Sequence, residues 1–345
     1  MKKLASPPND TLEFVVEMRF QRRFVSMRVL VVGAGIIGSI YGWALAQSGH
    51  EVVHLVRSGR ASALHDGMPL DIFDRRKGHK QNFRGLYKLT AVETLSPEES
   101  FELVIVPVKH YALLETLKEV VPRAKAAEFL LLTQNWRGTR EIDSVLPRTR
   151  YVFGDAKAGG TFSERNLVAA LKGIDIGTPD GEPSALAKKV ADLFTSTDIQ
   201  TRLHSDMLHY LWVQYAMTAG PWAALVKAGS INAMLNDRDA ISAALKAGYE
   251  CLQVVRRRGV DLSRYPETSP FLTKSALRMR INVWFMRRIF RHDEYTKRCS
   301  AHALGDPVEV KTFYDDLIAT GHALGVSMPV MESYADAITR FATKA

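Results

Sequence analysis

Only two cysteines, Cys251 and Cys299, occur in the 345 residues, far apart and outside any CxxC spacing. That scarcity excludes a disulfide framework and a thiolate zinc centre and fits a reducing compartment, so both read as ordinary thiols. No metal site is expected. No run of about 18 apolar residues appears, so no segment is expected to span a membrane. The first 26 residues also lack the apolar core of a secretory signal, and a cytoplasmic protein is the expectation. Internal repeats and low-complexity tracts are missing as well. What remains, 46% hydrophobic and 24% charged, is the composition of a globular chain long enough for two domains. The formal net charge is +9. No nucleic-acid-binding motif accompanies it, so the basic balance is assigned to an anionic cofactor and an acidic substrate, with neither nucleic acid nor membrane as partner.

A recognisable pattern begins at Met27. "MRVLVVGAGIIG" runs an apolar strand straight into Gly33, Gly35 and Gly38. In this GxGxxG the first glycine permits a tight turn, the second lets the backbone approach a pyrophosphate, and the third allows the next helix to pack closely on the strand. The backbone N–H groups near Ile36 and Ile37 then face the phosphates with the positive end of the helix dipole behind them. "HEVVHLV" follows as a second strand, and strand, helix and strand in that order mark a dinucleotide-binding unit. An acidic residue that would hold the ribose hydroxyls of NAD is absent from the end of that strand. Arg57 stands there instead, with Arg60 nearby, and a guanidinium suits the 2′-phosphate of NADP(H). The competing reading of Arg57 is a solvated surface arginine.

Residues 1–26 are mixed in character and precede the first strand, so they read as a flexible extension or as the product of a start codon assigned too early. Beyond the second strand, "MPLDIFD" and "FRGLYKLTAV" read as strands, "FELVIVPV" as a buried strand running to Lys109, "HYALLETLKEVVPRA" as a helix, and "EFLLLTQN" as a strand ending at Asn135. "RYVFGDA", "NLVAALK" and "IDIGTP" read as three more strands, then "SALAKKVADLFTST" as a helix. Such alternation predicts a parallel sheet with helices on both faces. Its ligands bind beyond the carboxyl ends of the strands, where Lys109 and Asn135 fall. From residue 204 every long segment has a helical pattern. The expected architecture is an α/β Rossmann-type domain over 27–203 followed by an all-α domain over 204–345 for substrate binding and dimerisation.

This order of features resembles the ketopantoate reductase (2-dehydropantoate 2-reductase) family over residues 27 to 335. Gly33, Gly35, Gly38 and Arg57 match its NADPH-binding positions, "PVKHY" its lysine loop at Lys109, and "TQNWRGT" its asparagine loop at Asn135. "EVKTFYDDLIATGHALGVSMP" matches the spacing of its last motif and puts Glu309 at the substrate-binding glutamate. The resemblance implies an NADPH-dependent reduction of a 2-oxo acid such as 2-dehydropantoate, as in pantothenate biosynthesis, with a lysine ammonium protonating the developing alkoxide. A positioned acid of that kind contributes about 10²–10⁴-fold.

The family's lysine is missing. In "LWVQYAMTAGPW" the landmark is Trp212, Gln214 takes the lysine position, and Thr218 replaces the first of two asparagines. A glutamine donates a hydrogen bond but gives up no proton near neutral pH. Tyr210, Gln214 and Thr218 share one helix face by their spacing, which makes Tyr210 a candidate replacement acid; the competing reading is a buried aromatic whose hydroxyl meets the backbone. Lys109 is the retained cation best suited to an oxyanion or a substrate carboxylate. Lys311, where the family has aspartate, reads as a surface residue. Asn135 is either a cofactor-binding group on the rim or a turn residue, and Glu309 either a substrate ligand or a solvated helix charge. Ser300 and His302 fall near the family's substrate-contacting serine.

The arginine-rich "KSALRMRINVWFMRRIFRH" reads as a core helix with a solvated charged face or an oligomer contact, in preference to a membrane-surface helix. Three functions fit these residues: the 2-oxo acid reductase, a divergent NADP-dependent dehydrogenase with another carbonyl or imine substrate, and a non-catalytic NADP-binding protein. A homodimer through the helical domain is compatible with each.

Overall fold

The computed structural model of the chain describes residues 26–79, 82–273, 275–300 and 303–343. The extension expected before residue 26 and His302 lie outside the described residues. β1 (Arg28–Val32) forms because its valines and leucine favour a pleated surface, and Val29, Leu30 and Val31 are fully buried. It leads through Gly33 into α1 (Ile36–Gln47), then β2 (Glu51–Leu55), β3 (Met68–Asp74), β4 (Phe83–Tyr87), β5 (Thr90–Val92) and β6 (Leu103–Val106). α2 (His110–Val120), β7 (Glu128–Leu132), β8 (Tyr151–Ser163), β9 (Asn166–Gly177), α3 (Ala185–Ser196) and β10 (Gln200–His204) complete the sheet and its helices.

The sheet runs β4-β3-β9-β8-β7-β6-β1-β2-β5, with β10 beside β9. From β8 to β5 all neighbours are parallel, as expected for crossover helices, and β8 and β9 then fold back on each other as a long antiparallel pair. Two boundaries differ from the sequence reading. "FRGLYKLTAV" is two strands, because β4 pairs with β3 whereas β5 crosses to β2. The three strands expected between 151 and 179 are two long ones, kept continuous by an irregularity at Lys157/Ala158.

After β10 the described residues contain helices and turns: α4 (Met207–Ala228), α5 (Arg238–Arg257), α6 (Ala276–Phe290), α7 (Glu294–Ser300), α8 (Pro307–Ala323) and α9 (Ala335–Ala342) are the longest. The expected α/β half followed by a helical half is what the structure has. The two halves share a core. One face of the sheet, with Leu30, Val104 and Phe129, packs in the same apolar cluster as Leu211, Ala216, Leu252 and Phe313 of the helical half, while α1 and α3 cover the opposite face.

"KSALRMRINVWFMRRIFRHDEYTKRC" breaks into α6 and α7, because the Asp293 carboxylate accepts the Thr296 N–H at 3.0 Å and restarts the helix in a new direction. α7 returns to the sheet, where Cys299 packs on Gly159 and Arg298 Nη1 donates to Asp71 at 2.7 Å. α6 is not a core helix. Val283 is its buried residue, whereas Leu277, Ile281, Trp284 and Phe285 are 54–68% exposed.

α4 and α5 cross in close contact at Gly220 and Gly248. A Cβ on Gly220 would stand 2.5 Å from the Gly248 nitrogen, a distance that backbone atoms cannot yield. Gly220→Val is therefore expected to pry the two helices apart and lower stability by about 1–3 kcal/mol, the usual cost of overpacking, read as a lower urea midpoint at unchanged slope.

Candidate active site

The Gly-rich turn is held from behind. Gly33 has φ +92°, a conformation that favours glycine, and its N–H donates to Leu55 O at 2.7 Å. Its carbonyl lies 2.9 Å from Nδ1 of His54, a buried residue of β2 whose Nε2 meets the Tyr87 hydroxyl at 3.0 Å. Burial lowers the His54 pKa, so near neutral pH the ring is uncharged and donates from Nδ1 to Gly33. Gly38 is the packing glycine, since a Cβ there would lie 3.0 Å from Val31 and 3.1 Å from Pro107. Gly35, the N-cap of α1, has open space where a Cβ would stand. An extended anion can approach that backbone, and the unpaired amides of the first turn of α1 are its donors.

A cleft of about 570 Å³ opens there, at the carboxyl ends of β1, β6, β7 and β8. Gly35, Ile36 and Ile37 line one end, and Thr218 and Trp222 of α4 with Glu309 and Phe313 of α8 line the other. Lys109 and His110, consecutive residues at the start of α2, stand between them. Lys109 Nζ donates to the Glu309 carboxylate and lies 3.2 Å from Asp306. Burial alone would lower its pKa, but the two carboxylates outweigh it and hold the ammonium above its ordinary value. The imidazole of His110, 3% exposed, meets Asp316 Oδ2 through Nε2 at 3.0 Å, and the Tyr215 hydroxyl donates to the same carboxylate oxygen at 2.8 Å. Burial would raise the Asp316 pKa, and the bonds from His110 and Tyr215 hold it below the usual carboxylate value.

Of the residues picked out from sequence, Gly35, Ile36, Ile37, Lys109, Thr218 and Glu309 line this cleft, with Gly33 and Gly38 directly behind the turn. Arg57 is exposed two residues past β2, with no ion pair among the described residues. Four of the expected residues lie outside the cleft lining. Tyr210 does not line the cleft. It is 1% exposed, and its hydroxyl donates to Asp175 at 2.6 Å, because α4 turns that flank onto the β8–β10 edge. Gln214 does not line it either; its amide lies 3.4 Å from Glu267, on the side of the turn at 266–268. Asn135 is committed to its own loop, accepting from the N–H groups of Arg137 and Gly138 and donating to Gly138 O at 2.7 Å, so the turn reading describes it. Ser300 ends α7 and is not among the cleft-lining residues. Lys311 forms an exposed ion pair with Asp315, one turn on.

Sequence reasoning passed over His110, Asp306, Asp316, Trp222 and Phe313. His110 had a signal, the position directly after Lys109 at a strand's carboxyl end; the others acquire a role through α8 and α4. Arg258 was missed too. Its guanidinium stacks over Trp136 and Trp212, 4.3 and 3.5 Å from their rings, and Nη1 donates to Trp136 O, which explains the landmark Trp212 as a clamp on the 133–138 loop. Desolvation there lowers its pKa to about 10.

A glycine turn at the head of a parallel sheet, facing a polar cleft closed by a helical half, defines an oxidoreductase that uses a nicotinamide dinucleotide. The profile of the family described as Ketopantoate reductase PanE/ApbA matches residues 29–177. Among curated relatives, the 2-dehydropantoate 2-reductase of Pyrococcus abyssi is 26% identical, over 74% of this chain and 83% of its own. That of Aquifex aeolicus is 24% identical over 89% and 94%. Among solved structures, a D-mandelate dehydrogenase with NADH and anilino(oxo)acetate matches with a TM-score of 0.70 at 15% identity, covering 92% of this chain and 99% of its own. Over residues 29–177 the chain is thus similar to the ketopantoate reductase family, and most of its length aligns with the two curated reductases.

Beneath the cleft, Asp175 is 1% exposed and ringed by Arg202 at 2.7 Å, Lys157 and His204 at 3.1 Å each, and Tyr210. Burial would raise its pKa, and these partners hold it far below the carboxylate range. That stabilisation is present above the unfolded-state value of about 4 and is lost as pH falls below it. Asp175→Asn should cost about 3–5 kcal/mol near neutral pH, with the gap to wild type closing in urea titrations below about pH 4. Tyr210→Phe should lose about 1.5–3 kcal/mol of stability, as for a bond to a charged acceptor, with turnover per folded molecule unchanged.

Proposed function

We propose that this protein is an NADPH-dependent reductase of 2-oxo acids. The observation that carries the reading is the placement of a free anion-binding turn, a lysine and a buried glutamate around one cleft. The amides of Ile36 and Ile37 would hold the pyrophosphate and Arg57 the 2′-phosphate. The bound nicotinamide supplies a hydrogen with its electron pair to the substrate carbonyl. Lys109 receives the substrate carboxylate in competition with Glu309, and Thr218 offers a hydroxyl beside it, which already donates to Gln214 O at 2.8 Å. 2-Dehydropantoate is the family's substrate and the first compound to offer.

A second reading of the substrate is favoured by the aromatic wall. Trp222, Phe313 and Phe162 line the cleft. A 2-oxo acid with a bulky apolar group suits that wall better than a hydroxylated one. The exposed apolar face of α6 is read as the contact of a homodimer.

The test is loss of NADPH absorbance with 2-dehydropantoate and then with aliphatic and aromatic 2-oxo acids. Turnover of any of them is expected; tight NADPH binding without turnover across the panel would leave a non-catalytic NADP-binding protein. Arg57→Ala should raise KM for NADPH by about 10–100-fold, the equivalent of one or two charge-assisted bonds to phosphate, while KM for NADH stays within about 3-fold. Equal changes for both cofactors would refute the phosphate role.

A further inference from the structure

Resting on the reductase reading, the geometry points to His110 as the group that protonates the substrate oxygen, in place of the lysine this chain lacks. Reduction of a carbonyl leaves a developing alkoxide that must gain a proton, and an imidazolium is matched to that task near neutral pH. Gln214, in the lysine position, has no proton to give and lies outside the cleft. Lys109 lies in the cleft but is saturated by Glu309 and Asp306, and its raised pKa makes it a poor donor of a proton. Tyr210 is turned away onto Asp175.

His110 differs from these. It is a cleft-lining residue beside Lys109, its side chain is almost fully buried, and one ring nitrogen, Nε2, is committed to a carboxylate. Among the described residues Asp316 accepts from Tyr215 and from His110, so the positive charge of a protonated ring is met by a fixed anion. Phe313, Tyr215 and Tyr111 stand edge-on to the ring, with centroids at 6.2, 5.7 and 5.6 Å, and leave it little freedom to rotate. The charged and titratable groups around it are Asp316, Tyr215 and Tyr111 in contact, Lys109 and Glu309 alongside, and Arg137 facing Asp316.

In the step assigned to it, the carbonyl carbon takes its hydrogen and electron pair from the reduced dinucleotide. The carbonyl π pair moves to oxygen, an O–H bond forms there, and the Nδ1–H bond of His110 breaks. The ring, left neutral and still held by Asp316 through Nε2, takes its next proton from water. Asp316 is a positioning residue: it orients the ring and favours its charged form.

The experiment compares wild type, His110→Gln and Asp316→Asn on whichever 2-oxo acid the wild type reduces best. Binding of NADPH, followed by its fluorescence, serves as the check that each variant is folded and loaded. Expected are unchanged NADPH affinity in both variants and a kcat about 10²–10⁴-fold lower in His110→Gln, the range of a lost general acid. The fall of wild-type kcat with rising pH should be absent from the variant's residual rate. Asp316→Asn should move that fall to lower pH, and ring ¹⁵N shifts should show His110 titrating lower in the same variant. Oxamate, an unreactive 2-oxo acid mimic, should bind the wild-type NADPH complex more tightly at low pH and the His110→Gln complex without that dependence. A His110→Gln enzyme within about 3-fold of wild-type kcat, or one whose kcat keeps the wild-type pH profile, overturns the proposal. A wild type that binds NADPH and reduces no 2-oxo acid instead overturns the reductase reading beneath it, and the two failures are told apart by that first assay.

Discussion

Two carboxylates on one helix hold two consecutive residues of the other half of the molecule. Glu309 and Asp316 lie two turns apart on α8 and so face the same way. They reach Lys109 and His110, which end one strand–loop passage and begin α2, some 200 positions earlier in the chain. Every other feature of the cleft presupposes that grip. Without α8 docked, Lys109 and His110 would be solvated groups on the rim of an open sheet. With it, they become the middle of a pocket with the glycine turn on one side and Thr218 and Trp222 on the other. The apolar core under them is shared: the face of the sheet that bears Leu30 and Phe129 packs with Leu113 and Leu117 of α2 and with Leu211 and Phe313 of the helical half.

The charges at the rim are arranged in opposed pairs, and that limits what each can do. Lys109 sits between Glu309 and Asp306, Lys157 between Asp155 and Asp175, and Arg258 between two indole faces. Desolvation opposes ionisation in each case; at both lysines the neighbouring carboxylates win, whereas Arg258 has only a distant anion and its pKa falls. Lys109 and Lys157 are thus kept charged, as groups that hold anions or frame a pocket. His110 faces a single carboxylate, that of Asp316, rather than two.

The side chain of Gln214 stands outside the cleft, since its amide turns to Glu267. Nearby on the same helix, Tyr215 bonds Asp316 and stacks on Phe313 with centroids 3.8 Å apart, which supports the carboxylate behind His110. Trp222 and Phe313 narrow the same end of the cleft with apolar surface.

Much of this was legible in the one-dimensional pattern. The glycine turn, the strand–helix alternation, the helical second half and the rim position of Lys109 are written in local periodicity and in residues whose backbone demands are intrinsic, and such features survive in any tertiary context. Thr218 and Glu309 were singled out by matching family motifs, and both line the cleft. Tyr210, Gln214, Asn135 and Ser300 lie elsewhere, and for the helical ones spacing says which residues share a face but not which surface that face meets. Tyr210 met Asp175, Gln214 met Glu267, and Asn135 met its own loop. The pairing of His110 with Asp316 joins residues 206 positions apart and depends on where α8 lands. The sequence by itself determined a dinucleotide-binding sheet with a helical partner; which side chains share the cleft was decided only when the two halves packed, because a residue's neighbours in space depend on where α8 and α4 land.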